Sequence, residues 1–265
     1  MSVRIYTGLH ADRGRPSKRW ALILPWVLLG LGILAQAVAP FTSGTPRSAF
    51  TALGIVGCAG AAASHAAVAR RWAWATRFLT ITLGTAFVVE WIAQLTSFPF
   101  GSVTYTGLGP SVLGTPLLIP LSWLMIVYPG LLAAQRLSTE RLGTALVAAV
   151  LMTSWELVFD ASLSAGGLAH WTGDAWAVPG SSGVPLQDAL GWLLVAFLLV
   201  LGLDRLRRKV VKDGVPILQL SWLYAWSVVS ALIALHEPGV AAWAAIGMGV
   251  VVIPWWWRVW SQPQW

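Results

Sequence analysis

The chain has 265 residues, of which 57% are hydrophobic and only 10% charged. A soluble domain carries roughly 25% charged residues, so this chain has too few to cover a water-facing surface. Its formal net charge of +7 does not mark a nucleic-acid binder, because Lys and Arg fall in short runs between apolar stretches rather than in one patch.

The first predicted element is a basic tail, residues 1–19, carrying Arg4, Arg13, Arg15, Lys18 and Arg19. It leads into an apolar segment long enough to stay as a membrane span, with no cleavable signal peptide expected. Apolar stretches then run over 20–39, 48–69, 78–95, 113–134, 142–162, 186–203, 217–235 and 241–257. Each is near the roughly 20 residues that cross about 30 Å of hydrocarbon. The expected fold is all-α: a polytopic membrane bundle of eight transmembrane helices, one domain over 20–257, followed by a short tail at 258–265. The 18 Trp and 15 Pro fit, since Trp concentrates at membrane interfaces and Pro is tolerated in bundled membrane helices. Cys58, the single cysteine, leaves no intramolecular disulfide or all-thiolate metal site and is expected to pack as a small apolar residue.

Alternate connections carry the basic residues: Arg70, Arg71 and Arg77; Arg136 and Arg141; Arg205, Arg207, Arg208, Lys209 and Lys212; and finally Arg258. The intervening connections carry only Arg47. The excess of Lys and Arg on cytoplasmic loops then predicts that both termini are cytoplasmic. The longer outer connections, 96–112 and 163–185, are rich in Gly, Ser, Thr and aromatics. Loops of that length are usually functional or partly ordered.

Two segments match at an offset of 69 residues: Gly-Thr-Pro-Leu-Leu-Ile-Pro-Leu-Ser-Trp (114–123) and Gly-Val-Pro-Leu-Gln-Asp-Ala-Leu-Gly-Trp (183–192). Each is read as a helix start with Pro near the first turn, where its fixed φ is suited. Spans three and four and spans five and six then form a duplicated hairpin, related by an axis along the membrane normal. The alternative is that Gly-x-Pro-Leu simply recurs in a Leu- and Pro-rich chain.

Glu90, Glu156 and Asp160 are the chemically informative residues. Glu90 lies 13 residues beyond Arg77 and Glu156 15 beyond Arg141, both roughly 20 Å into their spans. Asp160 is one helical turn further out, on the face of Glu156. An acid inside the membrane costs a few kcal/mol, normally faces the bundle interior and marks function. Apolar surroundings favour the neutral acid, which suits proton donation. Asp188 falls in a first helical turn, where a carboxylate complements the helix dipole; a cap and a site role are both open. His65 is expected to be a hydrogen-bonded core residue, and His170 and His236 lie in loops. No phosphate loop, zinc pattern or nucleophile elbow is present in the sequence, and Glu156-x-x-x-Asp160 only faintly echoes the Asp-rich motifs of membrane prenyltransferases.

The residues around these acids resemble the carotenoid 1′,2′-hydratase family, which includes bisanhydrobacterioruberin hydratase and the γ-carotene hydratases. The likeness is carried by Glu90-Trp91, Phe98-Pro99-Phe100-Gly101, Tyr105-Thr106, Leu108-Gly109-Pro110, Gly114-x-Pro116, Ile119-Pro120-Leu121-x-Trp123 and Tyr128-Pro129. It continues in Trp155-Glu156-Leu157-x-Phe159-Asp160 and Gly183-Val184-Pro185-Leu186 through Gly191-Trp192, covering roughly 90–203. The family pattern has Asp where Glu156 stands, Pro where Ala161 stands and Asn where Asp188 stands.

The resemblance implies addition of water to the terminal C=C of an acyclic carotenoid ψ-end, in carotenoid biosynthesis, by a hydro-lyase without cofactor or metal. Asp160 or Glu156 is the expected proton donor, with Glu90 sharing the proton or orienting water. Trp91, Trp155, Phe159 and Trp171 are candidate aromatic faces for the carbocation. Tyr105, Asp188, Gln94 and Thr104 are candidate polar contacts to substrate and water. The expected partners are a lipophilic carotenoid, membrane lipid and other carotenoid-biosynthesis enzymes, with no nucleic acid, in the cytoplasmic membrane. A carotenoid end-cyclase would use the same protonation but capture the cation internally. A proton-coupled transporter would also carry intramembrane acids and repeats.

Overall fold

A computed structural model describes residues 19–172, 176–181, 183–206 and 214–261. The basic tail with Arg4, Arg13, Arg15 and Lys18, the loop residues Arg207, Arg208, Lys209 and Lys212, and residues 262–265 lie outside the described residues. The described residues are 79% helical and include eight helices long and apolar enough to span a membrane, with no closed sheet among them. The chain is an all-α polytopic bundle and a multi-pass membrane protein.

The spans are α1 (Arg19–Val38), α2 (Gly44–Ala69), α3 (Trp72–Thr96), α4 (Leu118–Leu137), α5 (Arg141–Ala165), α6 (Leu186–Leu203) and α7 (Gly214–Ile233). The eighth joins α8 (Pro238–Trp243) to α9 (Gly249–Ser261) through a π-helical segment, Ala244–Met248. Pro25, Pro129 and Pro254 sit inside helices, which neighbouring membrane helices tolerate. The outer surface presents Leu31, Leu34, Leu194, Leu198, Ile246 and Val250, the apolar exterior that lipid requires.

Three contacts gather the basic helix ends on one face. Trp74 Nε1 donates to Leu206 O, Arg141 Nη2 to Leu201 O at 2.9 Å, and Arg258 Nη1 to Arg136 O. Arg47 belongs to the other face. The sequence places it in a connection, but it lies in the first turn of α2, buried, where its guanidinium donates to Pro40 O and Ser162 O at 3.1 Å each. It therefore ties the α1–α2 turn to the outer end of α5.

Packing follows small residues and centrally placed amides. A Cβ built on Gly57 would stand 2.7 Å from Gly32 Cα, and one on Gly32 would stand 2.7 Å from Cys58 Sγ. These glycines let α1 and α2 approach closely, as small residues do in membranes. Cys58 is fully buried, as expected, and accepts from Gln36 Nε2 at 3.3 Å. α4 is the central helix: from Leu118 to Ala134 every residue but Leu121 is buried. Gln219 on α7 joins it to α2 by donating to Met125 O (2.8 Å) and Cys58 O (3.2 Å). His65 is a core histidine, its Nδ1 2.8 Å from the Tyr128 hydroxyl within a ring cluster that includes Phe78.

The connections after α3 and after α5 pair with each other over part of their length. β1 (Ser102–Tyr105) runs antiparallel to β4 (Ala169–Thr172), with Val103 opposite Trp171 and Tyr105 opposite Ala169. β2 (Ser111–Val112) and β3 (Thr115–Pro116) form a hairpin. Leu113 (φ 50°) and Gly114 (φ 83°) turn that hairpin, the two positive φ values of a type I′ turn. The hairpin explains why α4 begins at Leu118 and not at 113, where hydropathy alone starts the span. It also corrects the reading of the first repeat: Pro116 ends a strand, and Pro120 occupies the first turn of α4. In the second repeat Pro185 directly precedes α6.

Candidate functional site

The two hairpins, α3–α4 and α5–α6, meet through their equivalent tryptophans. Trp123 and Trp192 lie with ring centroids 4.4 Å apart, and Phe100 packs on Trp192 (5.6 Å) and Trp123 (6.3 Å). Gly191 permits this approach, since a Cβ there would stand 2.7 Å from Pro99 O. The loop Phe98–Gly101 is thus seated against α6, and Gln187 Nε2 holds it by donating to Ser97 O at 3.0 Å.

Four acids converge beside this contact. Glu90 on α3, Glu156 and Asp160 on α5, and Asp188 on α6 are all buried, none more than 5% exposed. Asp160 is in side-chain hydrogen-bonding contact with both Glu156 and Asp188, and Glu90 is close enough to interact with all three. Asp188 is buried in the first turn of α6 beside Asp160, in a helix whose cap residue, Pro185, makes no side-chain capping bond. No Lys or Arg is among the groups that act on these carboxyls. Neighbouring carboxyls without a cation cannot all be ionised, so the cluster holds protons as a unit.

The β1–β4 sheet covers the cluster. Strand alternation turns Val103, Tyr105, Ala169 and Trp171 inward and leaves Ser102, Thr104, His170 and Thr172 exposed. Tyr105 faces all four acids. Its phenol is held well above the ordinary value, first by burial of the hydroxyl and then by Glu90, Asp160, Asp188 and Glu156. It therefore remains a neutral donor. Thr104 points away from the acids. Trp171 is half-buried, and its buried Nε1 makes no hydrogen bond among the described residues.

Trp123, which sequence reasoning did not select as a site residue, turns its indole N–H toward Glu90. Neither Trp123 Nε1 nor Glu90 Oε2 completes a well-formed hydrogen bond, so both retain capacity for water or substrate. The signal for Trp123 was present in the duplicated segment, as one of its five coincident residues. Gln94 Nε2 is buried without a partner among the described residues, and Trp91 is half-buried on α3. Trp155 and Phe159 stack at 5.0 Å but line a cleft toward α1, α2 and α7 that contains none of the four acids. The structure thus brings together Glu90, Glu156, Asp160, Asp188 and Tyr105, covers them with the strand bearing Trp171, and turns Trp155 and Phe159 to another side of α5.

A model of the carotenoid biosynthesis protein family matches residues 49–254. The chain belongs to that family. The match runs from α2 into α9 and contains all four acids, both repeats and the β1–β4 sheet. No curated protein and no solved structure gives a significant match. This member of the carotenoid biosynthesis family thus has a role in carotenoid biosynthesis, and its acid cluster draws on both the α3–α4 and the α5–α6 hairpin.

Proposed function

We propose that the chain is a carotenoid hydratase acting at the terminal C=C of an acyclic ψ-end. The observation that carries this reading is the convergence of Glu90, Glu156, Asp160 and Asp188 with Tyr105, with no Lys or Arg acting on the acids among the described residues, within a chain of a carotenoid biosynthesis family. An alkene is a weak base, and its protonation needs a strong, positioned acid in a dry place.

Asp160 or Glu156 delivers its carboxylic proton to the less substituted alkene carbon, and the π pair becomes the new C–H bond. The tertiary carbocation that remains is stabilised by aromatic faces, for which Trp171 on the covering strand and Trp91 one residue from Glu90 are the candidates. Water then adds its lone pair to form the C–O bond. Its surplus proton returns to a carboxylate, the donor's own or that of Glu90, which restores the site. One water is added and no electrons are exchanged, so the reaction balances without a redox cofactor. Tyr105 and Trp123 supply the neutral O–H and N–H that orient the water, and Asp188 holds Asp160.

The distribution of Lys and Arg along the sequence supports a cytoplasmic membrane protein with cytoplasmic termini, taking a lipophilic carotenoid from the lipid and from the enzymes that make it. Expression beside an acyclic carotenoid tests the reading. The pigment extract should contain product heavier by one water per reacting end. An isomeric product of unchanged mass would assign the same acids to end-group cyclisation.

A further inference from the structure

A second cleft lies across α5 from the acids. Trp155, Val158, Phe159 and Ser162 face it, and at about 100° per residue this face is roughly 130° from that of Glu156 and Asp160. Its other walls come from α1, α2, α4 and α7, and its volume is about 80 Å³. That space accommodates an end group and not a long chain. Gln36, Pro40 and Trp226 on its rim are only partly buried, so the remainder of a chain can leave sideways into lipid.

Several helical hydroxyls are committed to their own backbone, while Thr82 and Thr153 are buried without a partner among the described residues; the hydroxyls of this cleft are of the second kind and open onto one common space. Ser64, Ser122, Ser154, Thr76 and Thr96 each return a hydrogen bond to a carbonyl of their own helix, as helical Ser and Thr do in membranes. Ser227 and Ser230, buried at 4% and 6% exposure, make no such bond among the described residues, and neither do Thr51 and Ser162. Ser227 and Ser230 are three residues apart on one face of α7 and open into the cleft with Thr51 and Ser162 around them. The Gln36 amide behind them is already engaged, its Nε2 with Cys58 Sγ and its Oε1 with Trp222 Nε1 at 2.8 Å. Arg47 holds two backbone carbonyls of the rim, Pro40 O and Ser162 O. Stacked Trp155 and Phe159 give the cleft a flat apolar wall.

We infer that this cleft is a binding site for the hydroxylated end of an isoprenoid chain, separate from the acid cluster. A hydroxyl entering it meets uncommitted donors and acceptors in surroundings where an unpaired polar group is costly, and the branched chain behind it lies on the Trp155–Phe159 wall. The inference does not depend on the chemistry proposed for the acids.

The test is competition for radiolabelled geranylgeraniol on the full chain in lipid nanodiscs, which reads binding and not turnover. Competitors are unlabelled geranylgeraniol, the matching isoprenoid hydrocarbon and a straight-chain alcohol of similar length. In the wild type the isoprenoid alcohol should compete roughly three- to tenfold better than the hydrocarbon, the worth of one or two net hydrogen bonds, and better than the straight-chain alcohol. That ratio should fall to about one in Ser227→Ala/Ser230→Ala and persist in Asp160→Asn. Ser162→Ala, a milder change, should lower it partially and keeps the test alive if the double variant fails to fold. Absence of saturable binding, equal competition by the hydrocarbon or the straight-chain alcohol, or a ratio lost in Asp160→Asn but kept in the serine variants would overturn the assignment.

Discussion

Trp123 and Trp192, 69 residues apart in sequence, pack with ring centroids 4.4 Å apart. They end the two matching segments, so the contact joins the α3–α4 hairpin to the α5–α6 hairpin. It also sets the relative position of the acids, since Glu90 comes with the first hairpin and Glu156, Asp160 and Asp188 with the second.

Trp192→Ala removes a buried ring from this junction and is expected to cost about 3–5 kcal/mol, seen as a lower apparent Tm of the solubilised protein. Trp123→Phe keeps most of the apolar volume and loses the N–H that faces Glu90. It should melt near the wild type while converting substrate about tenfold more slowly, the scale of one hydrogen bond to a charged or reacting group. Unchanged melting in Trp192→Ala would mean that the ring contact does not hold the hairpins together.

Gly57→Leu tests the closeness of α1 and α2. Its side chain meets Gly32 backbone at 2.7 Å, and overpacking of this kind costs about 1–3 kcal/mol. The variant should lose thermal stability, whereas Gly30→Leu, where an added Cβ meets nothing within 4 Å, should not. Equal melting of the two would contradict the close approach.

The spans were legible because hydropathy is a local property of composition, and the acids because charge inside an apolar run is conspicuous. Asp188 left two readings open, and only tertiary placement beside Asp160 separates them. Long-range pairing was hidden. The start of α4 depends on the β2–β3 hairpin, and the direction of Tyr105 and Thr104 depends on β1 meeting a strand more than sixty residues away. Trp155 and Phe159 flank the acids in sequence, yet helical rotation carries them to another cleft.

Topology gives an independent check on where the acids lie. A reporter fused after Trp265 and one inserted near Gly166 should report opposite sides of the membrane, the first cytoplasmic. Both on one side would contradict eight spans and the position of the β1–β4 sheet over the cluster.

The most direct measurement is conversion of an acyclic ψ-end carotenoid in heavy-oxygen water by wild type and Asp160→Asn. Asn keeps the size of Asp160 and much of its hydrogen bonding but has no carboxylic proton to give. General acid catalysis is worth on the order of 10²–10⁴-fold, so Asp160→Asn, or Glu156→Gln if that acid is the donor, should be membrane-inserted and reduced by that factor. The wild-type product should carry the heavy oxygen and one added water per reacting end. An unlabelled product, or full activity in both acid variants, would contradict the account.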